Sequence, residues 1–95
     1  MNYKVSDLLD MICTHYDATI DELKEMAGTD NVKWARLLFF YTAHMYASED
    51  DEYIGALLNR NAYMVEFAVQ LIKEDIRNRE TEVMGFFRQH PEFGI

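Results

Sequence analysis

Five residues near the middle of the chain have side chains that can recognise another molecule. Arg60 and Asn61 carry the kinds of group that make hydrogen bonds to base edges in DNA. Tyr63 and Phe67 are four residues apart, so on a helix they share one face, with Met64 beside them. Exposed clusters of aromatic and methionine side chains are typical of protein contacts. This segment therefore indicates two kinds of binding surface, one for DNA and one for a protein.

The apolar members of this group also have a purely structural explanation. Met64 and Phe67 would pack into the core of the protein, under Phe86 and Phe87, if their face of the helix were covered. Phe and Met are commonly buried, so this alternative stands beside the binding one.

The charge of the chain bears on which partner the segment would take. The sequence has 9 Lys and Arg against 17 Asp and Glu, a formal net charge of -8, and this excess repels phosphate backbones. DNA binding would need a local basic patch, and Lys33, Arg36 and Arg60 are the cations expected near one surface, with Lys73 as a further candidate. Glu66 would oppose DNA binding if it lay on the same side. We therefore expect a partner protein or self-association, with double-stranded DNA as the alternative.

Other chemistry has little support in the sequence. The histidines, His15, His44 and His90, fall on separate predicted elements without metal-ligand spacing, and the lone Cys13 cannot complete a zinc knuckle. No glycine-rich phosphate loop and no paired carboxylates in a predicted cleft are present. We expect a protein that is not an enzyme and that binds no metal, no cofactor and no small-molecule substrate.

The sequence also predicts a soluble, cytoplasmic protein. The longest apolar run, residues 37–41, is far too short to span a bilayer. The N-terminus lacks the apolar core of a signal peptide, and a single cysteine cannot form an internal disulfide. We therefore expect no membrane partner.

Hydrophobic periodicity and capping signals predict an all-α fold, a single domain over residues 1–95 with about six helices. The third helix is apolar on more than one face and should be central. The expected helices cover, approximately, residues 6–15, 19–27, 32–46, 49–58, 61–78 and 80–89.

Several helix ends have candidate capping residues. Thr19 and Glu22 have the spacing of a capping box, and Ser48 with Asp51 has a weaker form of it. Ser6 is expected to cap the first helix, and Asp30 or Asn31 the third. Gly28 is expected to take the left-handed conformation that ends the second helix.

The fourth and fifth helices, over residues 49–78, have the outline of a helix-turn-helix. The Ile54-Gly55 step, with apolar Leu57 and Leu58, allows two helices to pack closely, and Asn59-Arg60 would form the turn.

Several short motifs are similar to those of one known family. They are His-Tyr-Asp-Ala-Thr-Ile-Asp-Glu-Leu at residues 15–23, Ala35-Arg36, Tyr53-Ile54-Gly55 through Leu58, and Arg60 with Val65. From Val5 to about Gln89, the chain resembles the C-terminal DNA-binding domain of the bacterial replication initiator DnaA. The resemblance implies a Trp-repressor-like helix-turn-helix fold and a DNA-binding function.

The chain departs from this family at the positions that read DNA. Asn61 stands where the family has aspartate, and Ala62 stands where it has a base-contacting histidine. Tyr63 and Met64 replace short hydroxylated residues. We therefore expect a stand-alone helix-turn-helix with degenerate DNA-reading residues, acting as a protein-interaction or regulatory module. The alternative is a DNA-binding protein in replication initiation or transcription control.

Overall fold

A computed structural model of the protein describes residues 2–95, which form six α-helices and a final 3-10 turn. The prediction of an all-α fold with about six helices is confirmed. None of the described helices is both long enough and apolar enough to cross a membrane. The elements are α1 Val5–Tyr16, α2 Ile20–Lys24, α3 Asp30–Tyr46, α4 Asp51–Leu57, α5 Ala62–Arg77, α6 Thr81–Gln89 and the 3-10 turn Pro91–Phe93.

Helix α3 is the centre of the fold, as its sequence predicts. It packs against α1, α2, α4 and α5, and its buried residues lie on more than one of its faces. Leu38 and Phe39 are fully buried in the core, together with Leu8 of α1 and Ile72 of α5. Removal of these apolar side chains from water is the main force that holds the helices together.

The residues that cap the helices are polar, but several are not those that the sequence indicates. The Thr19–Glu22 box is confirmed, since the N–H of Glu22 donates to Thr19 Oγ1 at 3.1 Å and the N–H of Thr19 donates to Glu22 Oε1 at 2.9 Å. The expectation for the third helix is wrong, because Thr29 caps it instead of Asp30 or Asn31. Asp50, and not Ser48, caps α4.

Two further expectations about helix ends are wrong. Ser6 lies inside α1, which begins at Val5 without a side-chain cap. Gly28 does not take the left-handed conformation. Helix α2 already ends at Lys24, and the next residue, Glu25, has an extended backbone. In both cases several adjacent residues are able to end or begin a helix, and the path of the chain between packed helices selects one of them.

Helices α4 and α5 are joined by a tight turn that folds back onto α4. The carbonyl oxygen of Gly55 accepts from the N–H of Leu58 at 3.0 Å and from the N–H of Arg60 at 2.9 Å. Asn59 takes the left-handed conformation, with φ of 59°. A Cβ atom on Gly55 would lie 2.7 Å from the carbonyl oxygen of Arg60 and 2.9 Å from that of Asn61. The turn can approach α4 this closely because residue 55 has no side chain.

We predict that Gly55→Ala destabilises the protein by about 1–3 kcal/mol, because the new methyl group would collide with backbone atoms that cannot rotate away. Urea unfolding followed by circular dichroism measures the effect. Gly85→Ala is the matched control, since Gly85 also lies inside a helix and a Cβ there would meet nothing within 4 Å. That variant should be stabilised by about 0.5–1 kcal/mol, as expected for glycine to alanine in a helix. Equal effects of the two substitutions would contradict the packing argument.

Candidate functional site

An apolar groove with a volume of about 440 Å³ runs beside α3 and the first three turns of α5. Leu37 and Phe40 of α3 and Phe67 and Leu71 of α5 contribute its apolar lining. We call it the α3–α5 groove. Its full lining consists of Met26, Lys33, Arg36, Leu37, Phe40, Asn59, Arg60, Asn61, Met64, Phe67 and Leu71.

The lining residues of each helix form one continuous stripe. On α3 they are residues 33, 36, 37 and 40, and on α5 they are residues 64, 67 and 71. Spacings of three and four place side chains on one face of a helix. The groove is therefore bordered by two rows of side chains, one from each helix, and a groove between such rows can receive the ridge of another helix.

Three of the apolar side chains at this groove are exposed. Phe67 is 59% exposed and Met64 is 43% exposed, and Met26 at the far wall is 90% exposed. The alternative in which Met64 and Phe67 pack under Phe86 and Phe87 is therefore wrong. Those two phenylalanines are buried elsewhere, where they contact each other and the ring of Phe93.

Two arginines at the groove hold the end of α2. Arg36 donates from Nε to the carbonyl oxygen of Leu23 at 2.8 Å and from Nη2 to that of Glu25 at 2.9 Å. Arg60 donates from Nη1 to the carbonyl oxygens of Leu23, at 2.8 Å, and Leu58, at 2.7 Å, and from Nη2 to that of Glu25. The last carbonyls of a helix lack partners within it, and the guanidinium groups supply them. The arginines thus tie α2, α3 and the turn before α5 together.

Several of the hydrogen-bonding groups that DNA reading would use at this site are therefore engaged within the fold. Arg60 has its two terminal nitrogens on backbone carbonyls. Asn61 caps α5, where its Oδ1 accepts from the N–H of Met64 at 3.1 Å. A ligand at this end of the groove would therefore interact with the positive charge of Arg60, because its two terminal nitrogens are not free to form a bidentate contact.

The charge of the groove is opposite to that of the protein. Its lining includes three cations, Lys33, Arg36 and Arg60, and no aspartate or glutamate, although the chain has nearly twice as many acids as bases. Within residues 2–95, none of the three forms an ion pair. Burial lowers the pKa of both arginines, and the neighbouring charge of Arg60 lowers the pKa of Arg36 further. Both remain cationic, because the ordinary arginine pKa is far above neutral pH.

The structure brings most of the predicted binding residues to one place. Lys33, Arg36, Arg60, Asn61, Met64 and Phe67 all line the groove. Tyr63 is 78% exposed on the first turn of α5 but does not line the groove. Glu66 and the further candidate Lys73 do not line the groove; both line a different depression, together with His44 and Asp51.

Sequence reasoning did not single out five lining residues: Met26, Leu37, Phe40, Asn59 and Leu71. A signal was present for three of them. Leu37 and Phe40 belong to the second apolar face of α3, and Leu71 continues the Phe67 stripe by four residues. Met26 and Asn59 reach the groove through tertiary packing of loops, for which the sequence has no periodic signal.

A second side-chain cluster joins the last turn of α1 to the end of α6. His15 Nδ1 and His90 Nε2 are 3.1 Å apart, next to the ring of Phe86, although the sequence places the two histidines on separate elements. Burial, followed by the effect of His90, lowers the pKa of His15, and Glu82 opposes this shift. The described residues contain no group of three or more potential metal-ligating side chains.

Comparison with protein families and with curated proteins finds no match to this chain. The resemblance to the initiator's DNA-binding domain stays a prediction, carried by the residues quoted for it above.

We predict that Arg60→Met destabilises the fold by about 2 kcal/mol, because hydrogen bonds from a charged donor to backbone carbonyls are lost. Arg60→Lys should recover less than half of the loss, since one ammonium group cannot span three carbonyls in the place of a planar fork. Urea unfolding of both variants measures this. Arg88→Met, at an exposed arginine, is the control and should change stability by less than about 0.5 kcal/mol. Arg60→Met unfolding like wild type would contradict the structural role of Arg60.

We also predict that stability falls as the pH is lowered from 7.5 to about 5.5. The folded-state pKa of His15 lies below its ordinary value of 6.5, so protonation favours the unfolded chain. Neutral His15 makes its full contribution to the free energy of unfolding above pH 6.5. This contribution decreases as the pH falls from 6.5 to the lower folded-state pKa. Thermal unfolding across this range should show a smaller decrease in Tm for His15→Gln than for wild type. Identical pH profiles would refute the assignment to His15.

Proposed function

We propose that the chain is a non-enzymatic interaction module that binds a partner protein through the α3–α5 groove and the exposed start of α5. The observation that carries this proposal is the exposure of Met64 and Phe67 beside an apolar groove. A cluster of large apolar side chains in water is unfavourable unless a partner covers it, and such clusters mark binding surfaces.

We infer further that α4, the turn and α5 are a helix-turn-helix of the initiator type that serves as a scaffold. The close approach of the turn to Gly55 and the burial of Ile54 and Val65 support this inference, because these residues carry the resemblance. Ala62 stands where the family reads a base, and it follows the capping residue Asn61 at the start of α5. In this proposal the chain keeps the backbone arrangement of the helix-turn-helix. The exposed side chains that would contact DNA in the family contact a partner protein instead.

DNA binding by the same surface is the second candidate, and the three cations at the groove favour it. Three facts weigh against it. The hydrogen bonds of Arg36 and Arg60 are directed at backbone carbonyls, Asn61 is engaged as a helix cap, and the net charge of -8 repels phosphate. A DNA complex would depend mainly on Lys33, which is exposed and unpaired within the described residues.

We predict that a photo-crosslinking amino acid at position 67 forms one discrete adduct with a partner protein in cells that express the chain. The reason is that Phe67 lies at the rim of the groove and would be covered in a complex. Position 53 is the matched control, because Tyr53 is 53% exposed and does not line the groove. Mass spectrometry of the adduct identifies the partner, and size-exclusion chromatography with light scattering distinguishes a partner from a second copy.

Two outcomes would overturn the proposal. One is an equal, diffuse pattern of adducts from positions 67 and 53. The other is binding to random duplex DNA in fluorescence anisotropy that weakens steeply with salt and is lost in Lys33→Gln, which would favour the DNA reading.

A further inference from the structure

We propose that the occupant of the α3–α5 groove is an acidic amphipathic helix of a partner protein. Its apolar side chains would fill the space between α3 and α5, and its carboxylates would lie at Lys33, Arg36 and Arg60. This inference rests on the proposed function and specifies the chemistry of the partner.

The shape of the groove matches a helix. The two stripes that line it, residues 33 to 40 of α3 and 64 to 71 of α5, are each about 10 Å long, the rise of seven residues in a helix. Two turns of a third helix cover this length and place apolar side chains at positions i, i+3 or i+4, and i+7 in the groove. An amphipathic helix laid into an apolar groove is a recurring mode of peptide recognition.

The cations occupy one part of the groove. Lys33 and Arg36 come at the start of the α3 stripe, and Arg60 lies in the turn before the α5 stripe. The later positions of both stripes, Phe40 and Leu71, are apolar. A complementary helix therefore has carboxylates next to one end of its apolar row, not distributed along it.

The two guanidinium groups lack an anion. Both donate to the carbonyl oxygens of Leu23 and Glu25, which holds two like charges next to each other. Nη1 of Arg36 and Nε of Arg60 make no hydrogen bond to the described part of the chain, and no carboxylate lies within ion-pair distance of either residue. A carboxylate from a partner would relieve the repulsion and accept from these nitrogens.

A second copy of the chain fits the site less well. A symmetric dimer formed through this groove would place the same surface against itself, and that surface includes three cations and no carboxylate to pair with them. Duplex DNA offers phosphates for the cations but no apolar ridge for Leu37, Phe67 and Leu71. The combination of an apolar floor and a cationic end therefore favours an acidic helix.

The test is selection from a displayed library of amphipathic helical peptides, about 15 residues long, with fixed leucines at i, i+3 and i+7 and randomised flanking positions. Against the wild-type protein, we expect enrichment of Asp and Glu at one end of the leucine row. The best peptide is then synthesised with its acids intact and with each replaced by Asn or Gln. Fluorescence anisotropy at low salt should show binding of the acidic form that is at least about tenfold tighter, the discrimination expected for a charge-assisted contact.

Variants of the protein separate the apolar and the charged contributions. Phe67→Ser should abolish binding of both peptides, and Lys33→Gln should reduce the preference for the acidic one. Lys73→Gln is the matched control, because this exposed lysine lies at a different depression beside Glu66, and it should leave both affinities unchanged.

The outcomes distinguish this inference from the proposed function. Phe67-dependent binding with equal affinity for the acidic and the neutral peptide would overturn the acidic-helix inference and leave the interaction module standing. Enrichment of basic or uncharged peptides, or no enrichment at all, would also overturn it. The proposed function itself fails only with the crosslinking and DNA results described above.

Discussion

The hydrogen bonds from Arg36 and Arg60 to the end of α2 are the interaction on which the geometry of the α3–α5 groove depends. Helix α2 has only five residues, too few to be stable alone, and the carbonyls at its end need donors from outside. The two arginines come from α3 and from the turn before α5, and they meet at the same carbonyl oxygens of Leu23 and Glu25. Three parts of the chain that are distant in sequence are thereby fixed relative to one another.

The same contact explains the charge of the groove. Backbone carbonyls accept hydrogen bonds from a guanidinium group but carry no net charge, so they do not neutralise it. A protein with a large excess of acids therefore has a cationic end on its main apolar groove. The arginines that stabilise the end of α2 therefore also set the local charge of the groove.

The turn between α4 and α5 determines where the apolar side chains of α5 point. The absence of a side chain at Gly55 lets residues 60 and 61 lie against α4, and Asn61 then begins α5 at a defined place. From that start, the buried residues Val65, Ala68, Val69 and Ile72 face the core. Because the helix has 3.6 residues per turn, Met64 and Phe67 lie on its exposed side. The exposed stripe is therefore a consequence of the register that the turn imposes.

The sequence by itself determined the number and type of the helices and the central position of α3, because these follow from the local period of apolar residues. It also singled out Lys33, Arg36, Met64 and Phe67, which the structure brings together at one groove. Only the tertiary structure decided which polar residue caps each helix, as with Thr29 and Asp50, and whether Phe67 is covered. The hydrogen-bond partners of Arg36 and Arg60 could not be predicted from the sequence either. Their acceptors are backbone carbonyls, which every residue has and which no pattern of side chains distinguishes.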